Sequence, residues 1–234
     1  HRNKIAALHH ENERKLFDAK IGFFTHITHE IRTPVTLILA PVEEIMRQKN
    51  IPEEIRDDLE VVKRNSERLL DLVNQILDFT KAEQEAFSSQ NTWFDIDDLV
   101  EKTVQRFTPA AQQKGIQLTH DTPQPIRICT DREALTKVLS NLLTNAMKFT
   151  KDRILVSLTE NPEAHTVTIS VEDNGTGIKP TEKEKIFNLF YQSANKPQLP
   201  NKGFGIGLAI VSLLVKRMMG KIEVESEENR FTRF

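Results

Sequence analysis

Histidine and glutamate stand side by side at positions 29 and 30 of a helix-forming stretch, and this pair could do nucleophilic chemistry. Imidazole titrates close to neutral pH, so a solvent-facing ring offers an unprotonated nitrogen as a nucleophile. The apolar stripe set by Ile27 and Ile31 leaves His29 on neither seam, which predicts an exposed ring. Glu30 could accept the other ring N–H, and Pro34 predicts a kink because it lacks an N–H.

This segment has other readings that are less specific. An exposed histidine is most often only a surface residue. A metalloprotease motif, His-Glu-x-x-His, would need histidine at position 33, where the sequence has Thr33. His26 and His29 are close enough along a helix to share a metal ion, although no third ligand is evident.

Three polar residues recur at helical spacing in the second half of the chain. Asn141, Asn145 and Lys148 fall on one face of a predicted helix. Amide oxygens suit a hard Mg²⁺ ion, and a lysine ammonium suits a phosphate group. The alternative is the polar face of an ordinary amphipathic helix.

Two glycine-containing segments follow this helix. The first, 173–178, begins with Asp173, whose carboxylate can accept from an adenine amino group while the glycines allow the backbone to approach closely. An Asn-Gly hairpin turn is the alternative there. The second, 203–208, precedes a predicted helix, whose first N–H groups can meet phosphates, although such a glycine pattern alone is weak.

The first half of the chain predicts an antiparallel helical hairpin that positions the histidine. It contains a single glycine and no strand-like alternation, and the segment 50–52 marks a helix stop and a new start. Its apolar stripes are Phe24, Ile27, Ile31, Val35 or Ile38, Val42 and Ile45, and then Ile55, Leu59, Val62, Ser66, Leu69, Val73 and Ile76. One hairpin cannot bury both stripes, so we expect a homodimeric four-helix bundle. Packing of the hairpin on its own second domain is the alternative.

After a polar linker at 88–91, strands alternate with helices. The predicted strands are Trp93–Ile96, Ile116–His120, Ile126–Thr130, Ile154–Thr159 and Thr166–Glu172, with a last strand that begins at Lys221. The predicted helices are 97–113, 131–149, 181–189 and 206–219. The fold class is therefore α+β: a helical hairpin followed by an α/β two-layer sandwich of antiparallel strands with helices on one face.

Composition excludes several classes of function. The chain has 234 residues, and 32 Lys and Arg against 34 Asp and Glu give a net charge of -2, so no basic field points to nucleic acid. One cysteine excludes a disulfide framework within the chain. No apolar run reaches the roughly 18 residues of a membrane span, so no membrane contact is expected within it. Because it begins with His1 and shows no signal peptide, we expect a piece of a longer protein.

The segment Thr28–Pro34 resembles the H-box of sensor histidine kinases of two-component systems, whose pattern is (Ser/Thr)-His-Glu-(Leu/Ile)-Arg-(Thr/Asn)-Pro. The longer stretch 23–38 is especially similar to hybrid two-component sensors of Bacteroides-like bacteria. The resemblance implies that His29 accepts the phosphoryl group and that Glu30 orients it and supports its charge. It further implies that Thr33 holds a water for dephosphorylating a response regulator.

Four more segments follow in the order of this family. They resemble its N-box (141–149), first glycine box (173–178), F-box (186–192) and second glycine box (203–208). The resemblance implies nucleotide contacts from Asn141, Asn145, Lys148, Phe149, Asp173, Gly175, Gly177, Ile178, Tyr191, Gly203, Gly205, Gly207 and Leu208, with Asn145 as the Mg²⁺ ligand. Two departures are Gln192, where many members have Arg, and 227–234, which lacks the family's third glycine box and so indicates a cut or a gap before a closing strand.

The resemblance implies two domains with separate tasks. Residues 1–86 would be a dimerisation and histidine-phosphotransfer domain with an N-terminal linker helix, and 92–234 an ATP-binding catalytic domain of the gyrase, chaperone and histidine-kinase type. ATP and Mg²⁺ are the implied cofactors. The implied partners are a second copy and the Asp of a receiver domain, on a separate chain or on the same one, and the implied location is the cytoplasmic portion of an inner-membrane sensor.

Two other classes of function remain open on the sequence. One is a catalytically silent dimeric scaffold. The other is an ATPase that uses the same nucleotide-binding fold without a histidine acceptor.

Overall fold

The computed structural model divides the chain into two compact units, His1–Gln84 and Glu85–Phe234. The structure describes the backbone of residues 2–48, 50–84, 90–122, 125–193 and 203–234, and the side chains of 24–48, 50–83 and the later ranges. None of the described helices is long and apolar enough to span a bilayer.

The first unit is the predicted hairpin, made of α1 (Arg2–Met46) and α2 (Glu53–Gln84). Its two helices meet along positions that repeat every seven residues, as in a coiled coil. The buried side chains are Thr28, Val35 and Val42 on α1 and Ser66, Val73, Thr80 and Ala82 on α2. The Lys63 ammonium, 3.5 Å from the Glu43 carboxylate, joins the helices at the edge of this seam.

The structure separates the predicted apolar stripes into two seams. One is the buried set, in which Thr28 replaces the expected Ile27. The other is a second heptad series that this hairpin leaves exposed: Ile38 and Ile45 on α1, and Ile55, Val62 and Leu69 on α2. We call this exposed series the outer seam. Its exposure follows from geometry, because a helix turns only one face toward a single neighbour.

The second unit is a two-layer α/β sandwich, as the sequence predicts. Its elements are β1 (Asn91–Asp95), α3 (Ile96–Gln113), β2 (Gln117–Asp121), β3 (Arg127–Asp131), α4 (Arg132–Phe149), β4 (Arg153–Asn161), β5 (Thr166–Asp173), α5 (Gly207–Arg217), β6 (Glu225–Glu227) and β7 (Phe231–Arg233). The main sheet has the order β2-β4-β5-β7-β6. Its helix-facing side buries Ile154, Val156, Leu158 and Val171 with Leu139, Leu143 and Val211 from the helices.

The sheet is not wholly antiparallel, which corrects one prediction. β2 and β4 pair in parallel, and β1 pairs with β3 in a separate two-stranded sheet. Parallel pairing needs a long connection, and here β3 and the 18-residue helix α4 supply it.

Two predicted elements are shorter than expected. The region 181–189 forms two 3₁₀ turns, Pro180–Glu182 and Lys185–Phe187, rather than an α-helix. So short a segment is a marginal helix without tertiary support, and extended backbone at Asn188 ends it. The strand expected from Lys221 begins at Glu225, because its partner β7 is only three residues long.

The C-terminal segment closes the sheet despite its lack of glycine. β6 and β7 form a hairpin, and β7 also pairs with β5. Asn229 takes the left-handed backbone conformation at the turn, with φ of 62°, a position that asparagine tolerates better than most residues. A closing strand is therefore present at the edge of β5.

The helices α3 and α5 end in the same capping motif with different residues at its critical position. After α3, the N–H groups of Gly115 and Ile116 donate to the carbonyls of Gln112 and Ala111. After α5, the N–H groups of Met219 and Gly220 donate to the carbonyls of Lys216 and Val215. Both are Schellman motifs, which place their first non-helical residue in the left-handed region. Gly115 has φ of 68° and Met219 has φ of 59°.

Met219→Gly should raise the free energy of unfolding by about 0.5–1 kcal/mol, because glycine removes the steric cost of the left-handed conformation. The Met219 side chain is 93% exposed, so little burial is lost. Urea unfolding followed by circular dichroism measures the change. Gly115→Ala is the matched control and should lower stability by a similar amount. Equal stability of Met219→Gly and the wild type would contradict the strain at this cap.

Candidate functional site

The predicted phosphate acceptor lies on the surface of the helical hairpin. His29 is exposed on α1, which confirms the orientation that the apolar stripe predicts. Glu30 is also exposed, but the predicted contact between its carboxylate and the ring is not made. The reason is geometric, since neighbouring residues on an α-helix point about 100° apart.

Hydroxyl hydrogen bonds reinforce the turn that follows His29, and Pro34 does not end the helix. α1 continues through Pro34, and the hydroxyls of Thr33 and Thr36 donate to the carbonyls of His29 and Arg32 at 3.2 and 2.9 Å. Arg32 also donates to Asn74 Oδ1 on α2 at 2.8 Å. This inter-helix bond fixes α1 against α2 within one turn of the histidine.

The three polar residues predicted to share a helical face do so on α4. Asn141, Asn145 and Lys148 are half-buried, which leaves their polar atoms partly accessible. Asp131 caps the start of the helix by accepting from the Ala134 N–H at 2.9 Å. The Lys148 ammonium lies 5.1 Å from the centre of the Phe149 ring, within cation–π distance.

The second glycine segment packs against this same face of α4. A Cβ atom on Gly203 would lie 3.1 Å from Lys148 Nζ, and one on Gly207 would lie 3.0 Å from Asn141 Oδ1. Gly207 begins α5, and Leu208 is half-buried in its first turn. The glycines therefore leave a cradle lined by an ammonium, amide oxygens and backbone. This donor set fits phosphates with a bound Mg²⁺ ion.

The first glycine segment begins at a buried carboxylate. Asp173 is the last residue of β5, and its Oδ1 accepts from the Gly175 N–H at 2.8 Å. A Cβ on Gly175 would fall on the Phe149 carbonyl oxygen. A hairpin at Asn174 would pair β5 with the strand that follows it in the chain. β5 pairs with β7 instead, so the Asn-Gly hairpin alternative is wrong.

The glycines here serve the packing of the chain itself, which the sequence did not indicate. A Cβ on Gly177 would fall on the Glu227 carbonyl, and one on Gly205 on the Tyr191 carbonyl. Ile178, which follows Gly177, donates its N–H to Ser226 Oγ at 2.8 Å. The loop that carries Asp173 is thereby held against the C-terminal hairpin.

Sequence analysis did not place Thr232 among the candidate site residues. It lies directly opposite Asp173 in the β5–β7 ladder, it is buried, and its hydroxyl is 3.2 Å from Ser226 Oγ. It is therefore placed to share the environment of the carboxylate. Its position depends on the pairing of β5 with β7, which no local sequence pattern shows.

The F-box contributes one ordered polar contact. The Tyr191 hydroxyl donates to Glu182 Oε1 at 3.1 Å. Partial desolvation and this carboxylate raise the pKa of Tyr191 above its usual value, so the phenol stays protonated at neutral pH. Gln192, the position where Arg was expected, is exposed.

A buried ion pair ties together the two helices that build the cradle. Arg217, the last residue of α5, pairs with Asp131 at the start of α4, and both side chains are only 7% exposed. Among the described residues, no three His, Cys, Asp or Glu side chains are grouped to hold a metal ion.

Comparison with known proteins identifies both units. A family model described as the His Kinase A (phospho-acceptor) domain matches residues 19–85. A second, described as the Histidine kinase-, DNA gyrase B-, and HSP90-like ATPase, matches residues 130–234. The two matches cover His29 and the cradle, respectively.

Individual relatives agree with the family models. Sensor histidine kinase YcbM of Bacillus subtilis is 30% identical over 212 residues, which span 90% of this chain and 68% of YcbM. Sensor histidine kinase TmoS of Ectopseudomonas mendocina is 36% identical over 92% of this chain, which spans 22% of the length of TmoS. The crystal structure of full-length ShkA in complex with AMPPNP has a TM-score of 0.74 at 29% identity, covering 91% of this chain and 44% of ShkA. The chain belongs to the sensor histidine kinase family.

Gly175→Ala should destabilise the second unit by roughly 1–3 kcal/mol and abolish ATP binding, because its Cβ would overlap a backbone carbonyl that cannot yield. Gly203→Ala is the contrasting change. Its Cβ meets only the mobile end of Lys148, so stability should stay within about 0.5 kcal/mol of the wild type. Urea unfolding and titration with ATP measure both effects. Equal tolerance of the two substitutions would contradict the packing described for Gly175.

Proposed function

We propose that this chain is the catalytic core of a sensor histidine kinase that phosphorylates itself on His29 at the expense of ATP. The observation that carries the proposal is the cradle, in which Lys148 and the amide face of α4 lie under the glycine segment. The exposed ring of His29 supplies the acceptor. The family to which the chain belongs supports this combination.

The nucleotide would be held at both of its ends. Asp173 would accept from the adenine amino group beside Thr232, and Lys148 would bind the phosphates as a point charge. Asn145 would hold Mg²⁺ through its amide oxygen, and the bound ion offsets phosphate charge. Asn141 and the N–H groups at the start of α5 complete the phosphate contacts.

His29 would act as the nucleophile of an in-line phosphoryl transfer. The lone pair of Nε2 forms a bond to the γ-phosphorus of ATP, while the bond from that phosphorus to the bridging oxygen breaks and ADP leaves with the electron pair. The ring becomes positively charged and loses its Nδ1 proton to solvent or to a nearby carboxylate. Positioning and charge stabilisation supply most of the catalysis in such transfers.

The transfer needs the two domains to approach each other. We assign dimerisation and phosphoacceptance to 1–86 and nucleotide binding to 92–234, connected by 87–91. Most of that connection lies outside the described residues.

We further infer that the hairpin forms a homodimer. The outer seam presents five large aliphatic side chains at heptad spacing on a hairpin that already buries its inner seam. A second copy would cover the outer seam by the same knobs-into-holes packing, giving a four-helix bundle. The chain's family supports this arrangement.

The phosphoryl group of His29 would pass to an Asp of a response-regulator receiver domain, on a separate chain or on the same full-length protein. The family supports a kinase core that lies on the cytoplasmic side of a membrane sensor. A catalytically silent scaffold and a simple ATPase are the competing functions. The first would lack nucleotide binding or labelling, and the second would turn over ATP without labelling His29.

The first test is incubation of the chain with Mg²⁺ and γ-labelled ATP. The wild type should acquire a label that is lost in acid and kept in base, because the P–N bond is acid-labile. His29→Gln should acquire none, because it lacks the acceptor nitrogen. His26→Gln is the matched control, one helical turn earlier, and should label normally. A label on His29→Gln, or none on any variant while ATP binds, would overturn the proposal.

A second prediction concerns the Thr33 hydroxyl, one turn after His29 on an exposed face. We propose that it positions the water that dephosphorylates the receiver domain, so Thr33→Ala should slow dephosphorylation roughly tenfold or more while autophosphorylation persists. Thr36→Ala removes the same kind of hydroxyl-to-carbonyl bond three residues on and should change neither rate. Release of phosphate from a phosphorylated receiver measures the effect. Unchanged dephosphorylation in Thr33→Ala would contradict this role.

A further inference from the structure

The side chain of Asn174 joins the end of α4 to the end of β5. Its Oδ1 accepts from the N–H groups of Arg153 and Asp152 at 3.1 and 3.3 Å and lies 2.9 Å from the Thr150 hydroxyl. Its Nδ2 donates to Asp152 Oδ1 at 2.7 Å. One amide therefore holds the whole turn that follows α4.

The backbone repeats this link between the same two segments. The Asn174 N–H donates to the Arg153 carbonyl at 3.3 Å, and Gly175 has no side chain where the Phe149 carbonyl approaches. The residue before Asn174 is Asp173, proposed to bind the base. The residues just before the turn include Lys148, proposed to bind phosphates. The network thus connects the two ends of the nucleotide site.

None of the hydrogen-bond partners of the Asn174 side chain is proposed to contact the nucleotide, although Asn174 also borders a concavity that Asp173 lines. Asn174 lines a second surface concavity together with Gly115, Gln117, Asp152 and Arg153, and none of these four belongs to the predicted nucleotide-binding set. An effect of Asn174 on nucleotide binding would therefore act through the residues that it holds.

We propose that Asn174 is a positioning residue that fixes the distance between the base-binding carboxylate of Asp173 and the phosphate-binding face of α4. The inference rests on the proposed function. The amide offers an acceptor to the turn's N–H groups and a donor to the Asp152 carboxylate at once. An aspartate at this position would keep the acceptor and set two carboxylates against each other.

The test compares ligands that use one end or both ends of the site. Dissociation constants for Mg-ATP and for adenosine are measured by calorimetry at a temperature where circular dichroism shows every variant folded. Asn174→Asp should weaken ATP binding about tenfold, since both ends no longer fit together. Adenosine, which needs only the base end, should bind within about twofold of the wild type.

Two further variants separate positioning from a general loss of structure. Asn161→Asp is the matched control, because Asn161 also holds a turn, accepting from the Ala164 N–H at 3.1 Å, away from the site. It should leave both affinities unchanged. In the background of Asp152→Asn, the new amide can donate to Asp at position 174, so the hydrogen bond returns with donor and acceptor exchanged. The cost of Asn174→Asp should then fall below about twofold in a double-mutant cycle.

Several outcomes would overturn the inference. Equal losses of ATP and adenosine affinity would mean that Asn174 merely supports Asp173. An Asn174→Asp cost that persists in Asp152→Asn would place the effect outside this hydrogen-bond network. Normal ATP binding by Asn174→Asp would overturn the inference alone, whereas a wild-type chain that binds no ATP would overturn the proposed function and the inference with it.

Discussion

The carboxylate of Asp131 makes two interactions on which the nucleotide-binding unit depends. One oxygen caps the first turn of α4, and the other pairs with Arg217 at the end of α5. Both side chains are almost wholly buried, and an unpartnered charge in such a place would cost several kcal/mol, so neither can be removed alone. The pair fixes the two helices whose other ends carry the residues proposed to bind the phosphates. The link at Asn174 then anchors the far end of α4 to the sheet.

The helical unit is organised by a different constraint, which is a shortage of apolar surface inside the hairpin. Among the described side chains of the hairpin, three of the seven that are buried are the hydroxyl residues Thr28, Ser66 and Thr80. The two threonines donate to carbonyls of their own helices. Their hydrogen bonds are local, so they add little to the attraction between helices. The larger aliphatic side chains lie on the outer seam instead. The homodimer proposed above would bury these larger side chains.

The sequence predicted elements with strong periodicity well and irregular segments poorly. The heptad spacing and the long helix before Phe149 were visible because apolar residues recur along them. The 181–189 region differs from its prediction because so short a segment is a marginal helix without tertiary support. The start of β6 differs because its pairing with the three-residue strand β7 sets its extent. The polar face of α4 could be placed from spacing alone. Thr232 could not, since its value comes from the ladder position opposite Asp173, which no local pattern contains.

The glycines of this domain affect how ATP binding can be inferred from the sequences of divergent homologues. Gly175 and Gly177 are required by neighbouring carbonyl groups of the same chain, so a descendant that lost its nucleotide would still retain them in order to fold. No steric requirement of this kind applies to Lys148 or Asn145, whose side chains are half-buried. In a degenerate homologue, survival of the glycines would record ancestry, and only the polar side chains of α4 would record continuing use of ATP.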